Sequence, residues 1–212
     1  SVVSPLPSLV RMVCAEEERL RLRALKGVRA RCAVALWIGK TQAGRAVGEA
    51  QFTEDGLSGI CVLDLSRYMR VKAPGAACRL AFDFAPGIEE RTLAELLAEN
   101  RAAFLSGVVP AKLAAQIDTE AKGSVRAAAH LLKCMEFSVT GTKGWKEAAV
   151  TSGGVPLDEV DAGTMESKLV RGLFFAGELL DYDGPCGGFN LNHAFLTGMK
   201  AGRAAANGAA NA

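Results

Sequence analysis

"GLFFAGELLDYDGPCGGFNLNHAFLTGMKAGRAAA", residues 172–206, runs from an apolar stretch through a glycine-rich loop into a helix rich in small residues. Residues 173–176 form a short apolar run that suits a buried strand, and Gly177 ends it where a backbone can come close to a ligand. Glu178 follows with a carboxylate suited to accept hydrogen bonds from sugar-like hydroxyls. Asp181, Tyr182, Asp183, Gly184 and Pro185 make a polar turn, and Gly187 and Gly188 lead into a helix whose expected cap is Asn190 or Asn192. Along that helix Leu191, Ala194, Phe195, Gly198, Met199 and Gly202 fall on one stripe, which should lie tightly against a sheet. Loops of this kind hold phosphates and electron-rich rings, because the free N–H groups of the helix start face the ligand.

Working outward, residues 28–84 favour strands: "VRARCAVALWIG" and "CRLAFDF" alternate apolar with polar or small residues, and "GKTQAGRAVGE" reads as a hairpin or loop between strands. Within that region "GLSGICVLDLSRYM" has helical spacing at Ile60, Leu63 and Met69. Residues 86–133 read as a helical bundle. Leu93, Leu96, Leu97 and Phe104 recur at helical intervals with Glu95 and Glu99 on the other face, Pro110 opens a second helix, and residues 125–132 make a third. Strands return at 137–139 and 148–150, and the Ala/Gly/Asn tail after Arg203 is expected to fray. The fold class is therefore α+β: a small β-barrel or curled sheet with a helical bundle, followed by a C-terminal strand-loop-helix; that the bundle is inserted and the last segment belongs to a dinucleotide-binding domain is what a family resemblance implies.

Residues 148–202 resemble the C-terminal part of the BaiN/YhiN-like flavoproteins, a family of FAD-dependent oxidoreductases. "LPSLV" at 6–10, "FTEDGLSG" at 52–59 and "FSVTGTKGWKEA" at 137–148 extend the resemblance over most of the chain in family order. The order Thr-x-Gly-Gly-Val, Gly-Leu-Phe-x-Ala-Gly-Glu and glycine-rich helix start is similar to the wider fumarate-reductase-like flavoproteins as well. The resemblance implies residues 1–85 as the first part of a β-rich insert, 86–133 as its helical subdomain, 134–150 as its return strands, and 151–212 as the closing segment of the FAD domain. It also implies FAD bound near Gly177, Glu178, Gly187, Gly188, Phe189, Asn190 and Leu191, a small organic substrate, and NAD(P)H as an open possibility for the second partner. Cys186 stands where the family usually has Thr, and Phe189 where Tyr is common.

Family members begin with a strand, a G-x-G-x-x-G turn and a helix whose N-terminus takes the FAD pyrophosphate. No such motif occurs in the 212 residues. The chain is accordingly expected to be the insert plus the closing segment of a flavoprotein, needing an N-terminal FAD-binding segment as its partner and inactive without it. The alternative is a binding or interaction module with no chemistry of its own. A tRNA-modifying flavoprotein shares the layout but calls for a strongly basic face. The net charge is only +2, with 21 Lys+Arg against 16 Asp+Glu in residues 1–147 and 4 against 7 in 148–212, so no nucleic-acid partner is expected.

Six cysteines lie at 14, 32, 61, 78, 134 and 186 with no C-x-x-C, so neither zinc nor a redox dithiol is indicated and no metal is expected. Free thiols, the lack of a signal peptide and of any apolar run near the ~20 residues of a membrane helix point to the cytoplasm and to no membrane partner. No catalytic residue is assigned. His193 could carry protons for flavin chemistry or serve as a packing histidine; His130 reads as structural, and Cys186 as a replacement for a residue of similar size. Thr151, Gly153 and Gly154 either cross near the flavin or form a tight turn.

Overall fold

The computed structural model describes residues 1–71 and 75–210. In chain order the elements are β1 (Val3–Ser8), β2 (Met12–Cys14), α1 (Arg19–Leu25), β3 (Arg29–Ile38), β4 (Thr41–Phe52), β5 (Gly56–Ser58), α2 (Ile60–Ser66) and β6 (Cys78–Asp83). There follow α3 (Glu90–Val108), α4 (Ala111–Ala121), α5 (Val125–Lys133), β7 (Met135–Thr142), β8 (Val150–Gly154) and α6 (Phe189–Ala210). They fall into two compact units: Arg11–Lys143, and Ser1–Val10 together with Gly144–Ala212.

The first unit is a closed antiparallel barrel with strand order β2-β5-β4-β3-β6-β7. Its spine is β3, in which buried Ala30, Cys32, Val34 and Leu36 alternate with exposed Arg29 and Arg31, the period of a strand with one wet face. The glycine-rich run predicted as a hairpin or loop is a two-residue turn, Gly39 and Lys40, followed by the twelve-residue strand β4. Inside the barrel Phe52 meets Phe82 at 5.7 Å and Phe137 at 5.6 Å between ring centres, while Phe82 and Phe137 meet edge-on at 90°. Such tilted contacts suit the ring quadrupoles and fill the lumen with carbon.

α2 enters at Gly59, whose φ is +93° and where a Cβ would stand 2.3 Å from the Glu49 carbonyl oxygen, so only glycine fits. The helix buries Cys61, Val62 and Leu65, while Ile60 is 55% exposed. The stripe expected on Ile60 and Leu63 is thus rotated: the turn at Gly59, rather than helical periodicity, decides which face meets β4.

α3, α4 and α5 form in the expected places, with Pro110 preceding α4 and Ser124 Oγ accepting from the Ala127 N–H at the start of α5. α3 breaks at Asn100 (φ −156°, ψ 84°), whose side-chain oxygen accepts from Ala103 N at 3.2 Å and caps the second half. Leu93, Leu97, Leu113, Ile117, Ala129 and Leu132 join the same buried cluster as the barrel phenylalanines. Helices and barrel therefore share one core.

In the second unit β1 pairs antiparallel with β8, with Leu6 opposite Ser152 and Ser8 opposite Val150. This puts Ser1–Val10 with the C-terminal segment, whereas the sequence reading set those residues in the barrel insert. Pro5 and Pro7 obscure the strand in the sequence and are tolerated in it because a two-stranded sheet leaves each strand an open edge. A small core of Val160, Met165 and Leu180 lies nearby in this unit. Residues 173–175 run alongside 165–167, joined by Ser167 N to Leu173 O at 2.7 Å and Phe175 N to Met165 O at 3.0 Å. The tail expected to fray continues α6 to Ala210; residues 211 and 212 lie outside the described residues. Among the described residues, no helix is long and apolar enough to cross a membrane.

Phe52→Ala removes the ring shared by the Phe82 and Phe137 contacts and should cost about 3–5 kcal/mol, measured by urea unfolding.

Candidate functional site

Each turn of the glycine-rich segment is held by a named hydrogen bond within the C-terminal unit. Gly177 (φ +65°) donates its N–H to Thr197 Oγ1 at 2.9 Å, and the same hydroxyl donates to the His193 carbonyl at 2.7 Å. Thr197 is buried, so this one oxygen fastens the turn Gly177–Leu179 to α6. A Cβ on Gly177 would lie 3.5 Å from Ala194 Cβ, which makes the close approach one between turn and helix.

Glu178 accepts from the Thr151 N–H, Asp181 from Gly153 N at 3.0 Å, and Asp183 from Ser8 Oγ at 2.8 Å. Three acidic side chains of the loop thereby hold β1 and β8 through one oxygen each. Thr151 and Gly153, left open between two roles in the sequence, donate two of these bonds.

Asn190 is inside α6 and does not cap it. Its side chain accepts from Gly184 N at 2.8 Å and donates to Gly184 O at 2.9 Å, satisfying both backbone polar groups of that residue. Gly184 fits there because a Cβ would come within 2.7 Å of the Tyr182 hydroxyl. The first turn of the helix instead begins from Gly188, whose carbonyl accepts from Asn192 N at 2.9 Å. Gly187 (φ +119°) and Gly188 (φ +89°) bring the chain in through the left-handed region, where a side chain is strained. An α-helix leaves its first N–H groups without intrahelical partners, and here these belong to Phe189, Asn190 and Leu191.

Glu178, Asn190 and Leu191 converge on one cavity of about 330 Å³, together with Tyr182 and His193. Gly177 lies against α6 instead, and Gly187, Gly188 and Phe189 fall outside the lining. Tyr182 and His193 stack with ring centres 4.1 Å apart and planes inclined by 24°. Partial burial holds the imidazole pKa below its ordinary value of 6.5. His130 is an exposed residue 3.4 Å from Glu90 on the helical bundle, and Cys186 is half-buried.

The apolar stripe of α6 is uncovered. Leu191 is 68% exposed, Phe195 71% and Met199 53%, and a Cβ on Gly198 or Gly202 would meet nothing within 4 Å. The tight packing expected of these small residues is not made by the described residues, because the two-stranded sheet of this unit does not extend under them.

A closed antiparallel barrel unit and a glycine turn that feeds a long helix, α6, occur together in this one α+β chain. The family described as HI0933-like protein Rossmann domain matches residues 33–204, and the chain belongs to that family. It is 33% identical over 205 residues to a 3-dehydro-bile acid delta(4,6)-reductase of Clostridium scindens, a match covering 85% of this chain and 49% of that protein. It is 30% identical over 213 residues to a ribosomal RNA dihydrouridine synthase of Haemophilus influenzae, covering 92% and 50%. A protein of the same name from Escherichia coli is 46% identical over 55 residues, 26% of this chain and 14% of that one. The chain thus spans about half the length of the first two of these curated relatives.

Thr197→Val should lower stability by about 1–3 kcal/mol, since it leaves the Gly177 N–H without its acceptor, and hydrogen exchange at that amide should accelerate. His193 takes up a proton less readily folded than unfolded. The second unit should therefore lose stability as pH falls from about 6.5 toward the lower folded pKa, and His193→Gln should flatten that slope in pH-dependent unfolding.

Proposed function

We propose that this chain supplies the barrel insert and the closing segment of an FAD-dependent oxidoreductase that moves a hydride to or from a small organic substrate. The bare stripe of α6 carries the reading. Leu191, Phe195 and Met199 with Gly198 and Gly202 between them have the make-up of a helix laid closely on a sheet, yet among the described residues they are open to solvent. Their occupant is an N-terminal segment of the same dinucleotide-binding domain, whose strand, G-x-G-x-x-G turn and helix take the FAD pyrophosphate. The relatives have room for it, since they extend to about twice the region they share with this chain.

The residues present fit the cofactor. Gly187 and Gly188 lead the backbone in without side chains, so the N–H groups of Phe189, Asn190 and Leu191 are available to the electron-rich pyrimidine side of a flavin. The positive end of α6 would stabilise negative charge there. Glu178, exposed at the turn Gly177–Leu179 and held through one oxygen, keeps acceptor capacity for the hydroxyls of the ribityl chain. FAD, when bound, supplies the two-electron step, and NAD(P)H is the proposed second partner. The barrel insert covers the flavin and shapes the substrate pocket.

A small organic substrate is favoured over RNA, although two relatives are named for ribosomal RNA, because basic side chains of the barrel unit are already engaged. Arg21 pairs with Glu120, Lys26 with Glu54 at 2.6 Å, Arg29 with Glu49 at 3.2 Å and Arg79 with Glu136 at 2.8 Å. Among the described residues no cysteine is in a disulfide, consistent with a reducing cytoplasm as the proposed location.

The chain purified alone should be colourless, and the chain joined to a family N-terminal segment should retain flavin, read from the visible absorbance. Gly188→Val, which puts a branched side chain at φ +89°, should abolish that retention. Yellow protein carrying Gly188→Val sinks this placement, while a joined chain that stays colourless leaves the non-catalytic module as the reading.

A further inference from the structure

α1 reads RLRLRAL, three arginines alternating with other residues and no acid among them. Leu22 and Leu25 are buried in the barrel core, and Arg21 finds a carboxylate in Glu120. Arg19 and Arg23, four residues apart and so on one side of the helix, line a cavity of about 450 Å³ together with Arg11, Glu54 and Asp55. These residues all belong to the unit Arg11–Lys143, so the cavity draws nothing from the glycine-rich segment and does not rest on the flavin reading.

The wall opposite α1 is built by hydrogen bonds. Thr53 N and Thr53 Oγ1 both donate to the Gly56 carbonyl, at 2.9 and 2.8 Å, and close the turn between β4 and β5. Arg11 Nη1 donates to Thr53 Oγ1 at 2.8 Å and to Asp55 Oδ1 at 2.7 Å, and Lys143 takes the other Asp55 oxygen. Lys143 and then Arg11 hold the Asp55 carboxyl below its ordinary range, so it is ionised and each oxygen already has a cation. Glu54 pairs with Lys26 at 2.6 Å, and Glu16, outside the lining, pairs with Arg19 at 2.8 Å. Arg11, Arg19, Arg23, Lys26 and Lys143 thus face only Glu16, Glu54 and Asp55, and among the described residues Arg23 has no hydrogen bond or ion pair. Two like charges at the spacing of Arg19 and Arg23 repel unless an anion comes between them.

We infer that this cavity is a binding site for a phosphate dianion, free or at the end of a small molecule, with Arg19 and Arg23 as the residues that grip its oxygens. A phosphate monoester carries a charge of about −1.5 to −2 near neutral pH, which evens the five cations against the three carboxylates. Guanidinium forks match its oxygens in pairs, as a lysine cannot. A nucleic-acid backbone is the poorer occupant. It needs a row of cations along the strand, and the neighbouring Arg21, Lys26 and Arg29 each have a carboxylate partner.

The experiment titrates the 212-residue chain, with its arginine side chains isotope-labelled, against inorganic phosphate, phenyl phosphate and polyuridylate at neutral pH and physiological ionic strength. Both phosphates should move the Arg19 and Arg23 Nε signals saturably. Tighter binding of phenyl phosphate gives the site to a monoester and tighter binding of inorganic phosphate gives it to the free ion; either supports the inference. Arg23→Gln, an exposed change checked for folding by circular dichroism, should weaken phosphate binding about tenfold, the loss of one opposite charge a few ångströms away. Arg91→Gln removes the same charge from an exposed site on α3 and should change binding by less than about twofold, because solvent and salt screen it. Phosphate should also raise the thermal unfolding midpoint of the wild type more than that of Arg23→Gln. Signals of Arg19 and Arg23 that stay still under both phosphates, equal losses in the two variants, or movement of those signals by polyuridylate at a lower phosphate concentration than by either small compound overturn the inference.

Discussion

Antiparallel pairing of β1 with β8 is the constraint on which the rest of the structure depends. Ser8 lies opposite Val150 in that ladder, and in the barrel unit the Lys143 N–H donates to the Arg11 carbonyl at 3.0 Å. Everything from Arg11 to Lys143 is thus an excursion whose ends meet, free to close a barrel around its own core. The β1–β8 pairing is sterically demanding. At Gly153 (φ +97°) the Ser4 carbonyl oxygen stands 2.5 Å from where a Cβ would be, so any side chain there pushes the strands apart. Acidic residues of the glycine-rich loop then fasten to the same ladder, and the loop inherits its position from it.

α6 depends in turn on that loop. One buried hydroxyl, Thr197, accepts from Gly177 and donates to His193, so that turn and helix share a single hinge pin. Asn190 performs a comparable task further back by pairing with both polar groups of Gly184. With the Asn190 amide used there, the N–H groups of Phe189, Asn190 and Leu191 stay without intrahelical partners. The arrangement trades a helix cap, worth about 1 kcal/mol, for a fixed loop and an open N-terminus.

The barrel and the bundle were legible in the sequence because each residue there answers to a local period. Alternation in β3 and the helical spacing of Leu93 and Leu97 need no knowledge of distant neighbours. What escaped was set by contacts remote in sequence or by single backbone angles. β1 carries two prolines and reads as a strand only once β8 is beside it. The buried face of α2 follows from the φ of Gly59, and the break in α3 from a side chain of Asn100 that caps its own helix. At the site, the glycines and Glu178 were picked out by their motif, whereas the stack of Tyr182 on His193 and the role of Thr197 arise only when the loop folds back on α6. Asn190 and Asn192 were picked as alternative caps from their residue type; both lie inside α6, and the backbone of nearby Gly184 outcompeted the helix end for Asn190.

The bare stripe of α6 bears on how such a protein is made. A helix with Leu191, Phe195 and Met199 turned to water is a poor element to leave waiting, since exposed apolar surface invites association between nascent chains. Its place downstream of the barrel answers that hazard. Translation delivers α6 after residues 11–143, when the barrel has had time to close, and in a protein with an upstream dinucleotide-binding segment the cover is already folded when the helix leaves the ribosome. The order of the sequence then acts as a schedule of assembly, with the stickiest surface released only when something is ready to receive it.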